Sequence, residues 1–277
     1  MKITLDEVGN LPDISDMRTR RENLVCTNVL TFLLSLLTTV QARAQAEHEI
    51  QVYASPTIQK RATIFELHTN YTIKGSEELS DPKSAQYFNA TLEITHGVSK
   101  NFELGFYVFT SIKPSGEYEY LGSHIRPRVT VPAEWKWPVG ASLSMEFGVF
   151  RPDAHTDFFW EGEIRPIVDK TIGNIYLSLN PNIGFALNGP EKHWGLSPQF
   201  KGVYTIKTRV GVGLEYYGNM GNFNSIGPVS AQEQLLGPMI DLYVDPKWEF
   251  NAGFLWGLTR SSNQQIIKLL LGRRIGL

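Results

Sequence analysis

The sequence has little cysteine and no excess of charge of either sign. Cys26 is the single cysteine among 277 residues, which excludes a disulfide within the chain. Lys and Arg total 26 and Asp and Glu total 28, so the formal net charge at pH 7 is −2. This balance gives no reason to expect nucleic acid as a partner. After residue 46 no apolar run is long enough for a membrane-spanning helix, which excludes a helical membrane bundle.

The one long apolar run lies near the N-terminus and has the layout of a secretory signal peptide. A basic region begins at Met17, an apolar core covers residues 29–40, and residues 44–46 have the A-x-A form of a cleavage site. The core is too short to span a membrane comfortably. We therefore predict an upstream extension and a cleaved signal peptide over residues 1–46, with Met17 as the true start, and one mature domain over residues 47–277.

The mature chain alternates between apolar and polar or small residues, segment after segment. Near the C-terminus, for example, Trp248, Phe250 and Phe254 share one face, whereas Glu249 and Asn251 share the other. Such a period of two over long segments predicts β-strands with one apolar face. The pattern predicts about twelve strands, near residues 62–74, 86–98, 101–113, 118–132, 141–152, 157–170, 175–188, 194–206, 208–220, 233–245, 248–260 and 264–277.

These strands are typical of a bacterial outer-membrane barrel. They are long and even in number, and tight turns alternate with looser connections. A soluble β-sandwich also alternates, but its strands are usually about 5–6 residues long. A twelve-strand barrel with an apolar interior would be too wide for side chains to fill. We therefore predict an all-β fold, a transmembrane antiparallel β-barrel in the bacterial outer membrane, with the lipid bilayer and the outer-membrane assembly machinery as partners.

Two groups of residues bear on the predicted strand ends and on which face points outward. Tryptophans fall near both ends of the predicted strands, as expected of two aromatic girdles, at positions 135, 137 and 248 and at positions 160, 194 and 256. Prolines fall in the middle of five strands on the outward face, where a missing N–H donor is unusual, and we expect them to mark bulges: Pro127, Pro166, Pro181, Pro198 and Pro238.

The inward face of the predicted barrel is strongly charged. Buried charge must face water or an opposite charge, so these residues either line a wet pore or interlock across the lumen. Carboxylates outnumber bases, which favours a mild preference for cations. The predicted pore-lining residues are Glu66, His68, Glu93, Glu103, His124, Arg126, Arg128, Glu146, Glu161, Glu163, Arg165, Lys201, Glu215, Asp241, Glu249 and Lys268.

Catalysis and metal binding are weaker interpretations of the same face. His124 could approach Glu103 or Glu146, with Ser144 near in register, as a membrane-embedded hydrolase would require. No nucleophile motif accompanies them. His68 and Glu66 could bind a metal, but they lack the spacing of a metal cluster. We therefore predict a protein that is not an enzyme and that uses no cofactor or metal.

Three stretches carry a resemblance to known proteins: "SHIRPRVTVP", "WEGEIRPIVDKTIGNIYLSLNPNIGF" and "DLYVDPKWEFNAGFLWG". They resemble uncharacterised bacterial outer-membrane β-barrel proteins that are similar to transporters assigned to the meta-pathway of phenol degradation. The resemblance covers most of the mature chain. It implies an outer-membrane barrel with a transport role, and it supplies no catalytic or binding residue.

The expected function is an outer-membrane channel or transporter for small polar or amphiphilic solutes, with a charged lumen. The alternative from another class is a structural or surface-interaction barrel whose lumen is plugged. A membrane-embedded hydrolase is the third possibility. Conduction separates the first two, and hydrolysis of lipid or peptide tests the third.

Overall fold

The fold is taken from a computed structural model of the chain. It describes residues 48–77, 86–188, 194–243 and 245–276. The predicted extension and signal peptide, residues 1–46, lie outside this described part, as does the predicted mature start at Glu47. These assignments therefore stay predictions. Among the described residues, no helix combines the length and the hydropathy that a membrane-crossing helix needs.

The described chain forms twelve β-strands, and each predicted strand is present with bounds that differ by a few residues. Two short 3-10 helices, Ala133–Trp135 and Val229–Ala231, lie in the connections. The strands are β1 (Thr63–Lys74), β2 (Phe88–Ser99), β3 (Phe102–Ile112), β4 (Tyr118–Thr130), β5 (Gly140–Phe150), β6 (Phe159–Ile172), β7 (Ile175–Ala186), β8 (Trp194–Ile206), β9 (Val210–Asn219), β10 (Glu233–Leu242), β11 (Trp248–Gly257) and β12 (Gln265–Ile275).

The sheet closes on itself. Every strand pairs with its neighbours in sequence, and β1 pairs antiparallel with β12, so that Thr63 lies opposite Ile275. Closure leaves no free sheet edge, which a membrane requires because lipid offers no partners for backbone N–H and C=O groups. The predicted twelve-strand antiparallel barrel is therefore confirmed.

The burial pattern is the reverse of that of a soluble protein. Along β1 the buried residues are polar except for Ile64, with Glu66 6% exposed and His68 3% exposed. The neighbouring Phe65 and Leu67 are apolar, yet they are 40% and 44% exposed. Exposure of so large an apolar surface to water on every strand is unfavourable, whereas a bilayer covers it with lipid. The barrel therefore spans a membrane, and the soluble β-sandwich is excluded.

The two ends of the barrel differ. At one end, called here the turn end, four of the five connections have five residues or fewer, and the fifth has nine: 100–101, 131–139, 173–174, 207–209 and 243–247. The connections at the other end, called the loop end, are longer on average, at residues 75–87, 113–117, 151–158, 187–193, 220–232 and 258–264. Short turns face the periplasm in outer-membrane barrels. All six tryptophans of the predicted girdles are exposed, as an interfacial position requires.

The five mid-strand prolines do not mark bulges, so that expectation was wrong. The three register shifts lie elsewhere, at the ends of strand pairs or, in β3, between Phe109 and Thr110. The prolines interrupt the pairing instead. Pairing of β4 with β5 skips Pro127, and pairing of β10 with β11 skips Pro238. Because proline has no N–H, the ladder loses a donor there while the strand continues.

Leu214 and Tyr204 provide a depth test of the lipid-facing surface. Each is 52% exposed on the outer face, but Leu214 lies in mid-strand and Tyr204 near the turn end. We expect Leu214→Arg to destabilise the barrel by roughly 2–4 kcal/mol and Tyr204→Arg by about 0–1 kcal/mol. A folding titration in liposomes measures both. Equal effects would contradict the placement of the bilayer.

Candidate functional site: the lumen and its N-terminal segment

The lumen contains part of the chain itself. Residues 48–61, called here the plug segment, precede β1 and have no regular secondary structure. They run inside the barrel, because their backbone bonds to inward side chains on opposite walls. Thr91 on β2 donates to the carbonyl of His48 (2.8 Å), and Asn180 on β7 accepts from the N–H of Tyr53 (2.7 Å). Lys268 on β12 donates to the carbonyl of Ile50 (2.9 Å). The segment therefore crosses the lumen.

Tyr53 is the central residue of the plug segment. Its ring lies against three guanidinium groups, at 5.1 Å from Arg126, 5.6 Å from Arg128 and 4.5 Å from Arg165. These distances are within the range of cation–π contacts. Its hydroxyl lies 3.0 Å from a carboxylate oxygen of Glu93 and 2.9 Å from the hydroxyl of Tyr107.

The backbone carbonyl of Tyr53 also has hydrogen-bond partners on the wall. Ser178 and Asn180, both on β7, donate to its carbonyl at 2.7 Å and 3.1 Å. Glu49, also in the plug segment, accepts a hydrogen bond from the Tyr53 hydroxyl. Most polar atoms of this residue therefore have partners, as burial demands.

Towards the turn end, the plug segment binds charged side chains of the wall. The N–H and hydroxyl of Ser55 donate to Asp169 at 2.6 Å and 2.9 Å. Arg128 donates to two plug carbonyls, at 2.9 Å and 3.1 Å. The N–H of Ile58 donates to Glu103 (2.6 Å). Charge-assisted hydrogen bonds of this kind are roughly twice as strong as neutral ones.

The plug segment also has a small apolar contact. Ile50 and Val52 are each 5% exposed and pack against Tyr217, Leu255 and Ile266 on the far side of the barrel. Apart from this cluster, the contacts of the segment with the wall are mainly polar. A segment held mainly by hydrogen bonds can exchange these partners for water, and this makes displacement feasible.

Two wall glycines leave room for the plug segment. A Cβ at Gly97 would lie 2.1 Å from the carbonyl oxygen of Gln59. A Cβ at Gly140 would lie 2.3 Å from the Ser55 hydroxyl and 2.1 Å from Asp169. Only glycine permits so close an approach of another chain segment.

The charges of the wall are paired with one another around the plug segment. Arg126, 2% exposed, binds Glu93 and Glu103, the latter at 2.9 Å. Arg128 shares Glu103 at 2.7 Å. Arg165 binds Glu163 at 2.6 Å. Burying a charge is tolerated when an opposite charge and further hydrogen bonds accompany it, as here.

A second network lies across β8, β9, β10, β11 and β12. Lys268 binds Glu215 at 2.5 Å, and Lys201 bridges Glu215 (3.4 Å) and Asp241 (2.9 Å). Asn251 donates to Asp241 at 2.8 Å. The carboxylates of this side therefore have basic partners nearby. Local pairing leaves much less field across the lumen than the excess of carboxylates in the sequence suggests.

The predicted pore-lining residues all lie on the inner face. Thirteen of them are buried, and Glu161, Lys201 and Glu249 are half-buried. Glu249 pairs with Arg274 near the turn end. The structure brings most of them together in pairs. Glu66 forms no ion pair with any described residue. The residue directly opposite Glu66 on β2 is Glu93, another carboxylate.

The arrangement predicted for a hydrolase is present only in part. His124 contacts Glu146 at 2.8 Å, but Glu103 binds the two arginines instead. Ser144 is not near His124, which corrects the predicted register. On β5, Ser144 lies opposite Arg128, whereas His124 lies opposite Gly148. Pairing with β5 therefore places no serine opposite this histidine.

Three buried residues could hold a metal ion, although sequence spacing gave no sign of a cluster. Ligand atoms of Glu66, His68 and Glu93 lie within 4.8 Å of one another. Carboxylate and imidazole ligands suit divalent transition metals. Glu93, however, already binds Arg126 and lies 3.2 Å from His68. The positive charge of Arg126 disfavours a second cation at the same carboxylate.

Sequence reasoning missed the residues of the plug segment and their partners on β7. Tyr53 and Glu49 precede the first strand, where no pattern gives them a role. Asn180 and Ser178 were visible only as polar inward residues of β7. The signal that could have found them is the excess of buried donors and acceptors in the predicted lumen, since each needs a partner.

Comparisons with known proteins agree with this geometry. The chain matches no protein-family model and no curated protein sequence. A solved structure, the COG4313 outer membrane channel from Pseudomonas putida F1, has a TM-score of 0.58 at 9% identity, covering 82% of this chain and 100% of that one. The chain has the fold of a bacterial outer-membrane barrel. Its apolar belt and closed sheet place it in the bacterial outer membrane.

Two further solved structures are less similar. The KdgM porin has a TM-score of 0.47 at 11% identity, covering 77% of this chain and 99% of that one. The outer membrane protein Omp33 from Acinetobacter baumannii has a TM-score of 0.42 at 12% identity, covering 78% and 99%.

Replacement of Arg126 tests the buried charge network. We expect Arg126→Met to destabilise the barrel by about 3–5 kcal/mol, because it leaves Glu93 buried without its arginine, whereas Glu103 keeps Arg128. Adding Glu93→Gln in the same chain should recover much of the loss. Denaturant unfolding in detergent micelles measures these free energies. Additive losses in the double variant would contradict the network.

Replacement of Gly97 tests the seating of the plug segment. In Gly97→Ala the new methyl group meets the Gln59 carbonyl, so residues 58–60 must shift. We expect amide exchange in the segment, at Tyr53 and Ile58, to accelerate about tenfold or more, while strand amides stay protected. Gly184→Ala is the matched control, because a Cβ there meets nothing within 4 Å. Hydrogen exchange read by mass spectrometry gives both results.

Proposed function

We propose that the protein is a gated outer-membrane channel for small polar or amphiphilic solutes, and that displacement of the plug segment opens it. The observation that carries the proposal is the chemistry of the barrel interior. Its buried side chains are mostly charged or hydrogen-bonding groups, and the plug segment meets them mainly through polar contacts. A barrel interior that only had to be filled could be packed with apolar side chains, without the cost of burying charges.

The same side chains would line the path once the segment has left. The Arg126 and Arg128 groups would keep their carboxylate partners, and they would lose the Tyr53 ring and two plug carbonyls. Water and solute would then take the vacated hydrogen bonds, as in a wet pore. The predicted pore-lining set, from Glu66 to Lys268, is thus proposed as the solute path.

The solute class rests on the same chemistry. Paired charges of both signs beside aromatic rings such as Tyr107 suit solutes that carry both polar groups and an apolar part. The resemblance to transporters assigned to the meta-pathway of phenol degradation is compatible with amphiphilic solutes.

A second candidate is a structural barrel that never conducts. The plug segment favours it, because in this structure it bonds to walls on opposite sides of the lumen. The two candidates differ in a single property, the release of that segment.

A reversible lock distinguishes them. Residues 47–277 contain no cysteine, and a Cβ at Gly140 would lie 2.3 Å from the Ser55 hydroxyl. Ser55→Cys with Gly140→Cys should therefore form a disulfide that ties the plug segment to the wall. We expect single-channel conductance in a planar bilayer to be absent under oxidising conditions and to appear when the disulfide is reduced.

The controls are the two single-cysteine variants and the unaltered chain, whose conductance should not respond to reductant. Conductance that is equal in the oxidised and reduced double variant would show that the segment does not block the path. A complete absence of conductance in the unaltered chain, in the reduced variant and in Gly97→Ala would support the structural barrel instead.

A further inference from the structure

The turn end of the barrel is strongly basic. Its described acidic residues outside the lumen are Glu134 and Asp245, and Glu249 on the inner face pairs with Arg274. Eight basic residues of this rim form no ion pair with any residue that the structure describes: Lys60, Arg61, Lys136, Lys170, Lys207, Arg209, Lys247 and Arg273. At the loop end the described residues include four bases, Lys74, Lys113, Arg151 and Arg260, and six carboxylates, Glu77, Glu117, Glu119, Asp153, Asp157 and Glu233. Lys74 and Lys113 are paired with carboxylates. Among the described residues, the excess of positive charge therefore lies at the turn end.

The basic residues lie at the level of the aromatic girdle. Arg273 is on the outer face, opposite Trp248, and its guanidinium lies 4.6 Å from the Trp248 ring centroid. Lys136 stands between Trp135 and Trp137, whose exposed rings are 6.3 Å apart. Tryptophan prefers the membrane interface at the headgroup level. The charges beside these rings therefore reach the headgroups of the adjacent leaflet.

A cavity of about 580 Å³ opens beside Lys136 and Lys170. Trp137 and Lys100 also line it, and its inner wall is plug residues 55–57. Lys100 is paired with Glu134, whereas Lys136 and Lys170 are exposed. Asp169 also lines the cavity, but its carboxylate accepts the hydrogen bonds of Ser55. A space of this size, with two exposed ammonium groups and an indole, fits a phosphate-bearing headgroup.

We propose that this rim binds anionic phospholipid in the periplasmic leaflet, with the cavity at Lys136, Lys170 and Trp137 as a headgroup site. The charges and the cavity share one position, the interface where the aromatic girdle meets the headgroups. A basic cluster beside a membrane surface attracts anionic lipid. The site lies at the outer rim of the barrel, and because plug residues 55–57 form its inner wall, it is complete when the plug segment is seated.

Quenching of tryptophan fluorescence by brominated lipids tests the proposal. The full barrel is folded into phosphatidylcholine vesicles that contain equal fractions of brominated phosphatidylglycerol or brominated phosphatidylcholine. We expect about a fivefold higher apparent association constant for phosphatidylglycerol, falling at high salt. Lys136→Gln with Lys170→Gln should remove most of this preference.

The matched control is Lys74→Gln with Arg260→Gln at the loop end, which should keep the preference. Electrophoretic mobility of unheated samples, compared with heated ones, checks that both variants are folded. Equal quenching by the two lipids in the unaltered chain, or an undiminished preference in the Lys136 and Lys170 variant, would overturn the proposal. So would abolition of the preference by inorganic phosphate at constant ionic strength, which would assign the cavity to free phosphate.

Discussion

The structure depends on one constraint, which is that a charge removed from bulk water must have an opposite charge or a donor beside it. Lipid contacts the apolar face of every strand, and the charged face points into the barrel. Arg126 pairs with two carboxylates at once, and Lys201 does the same on the far wall. The plug segment supplies partners for several of the remaining wall groups, such as Thr91, Ser178 and Asn180, so wall and segment complete part of each other's hydrogen bonding.

This mutual completion explains why the segment needs so little apolar contact. Its buried carbonyls and N–H groups bond to Asn180, Arg128, Asp169 and Lys268, which come from four separate strands. The exchange of these bonds for bonds to water is nearly balanced in free energy. A nearly balanced exchange is what a gate requires, since each state must be reachable from the other.

The sequence predicted the strands well because lipid exposure makes a period-two pattern almost uninterrupted. Glu249 and Phe250, for instance, are adjacent residues with opposite environments, and alternation alone assigns both faces. The plug segment could not be predicted in this way. Tyr53 has no periodic context, and its partners Glu93 and Asn180 lie far away in sequence. The metal-capable grouping of Glu66, His68 and Glu93 likewise depends on the pairing of β1 with β2. Ser144 was misplaced because alternation fixes the face of a residue but not its height against the next strand.

The contacts of the plug segment also limit when it can dock completely. Ile50 bonds to Lys268, which is 218 residues away on the last strand, while residue 61 leads directly into the first strand. The complete docking site therefore does not exist until the C-terminal strand is in place. Contacts over such sequence distances form slowly, because the entropy of a long loop must be lost first. The segment consequently reaches its full set of contacts only in a closed barrel, and an unfinished barrel presents a charged interior.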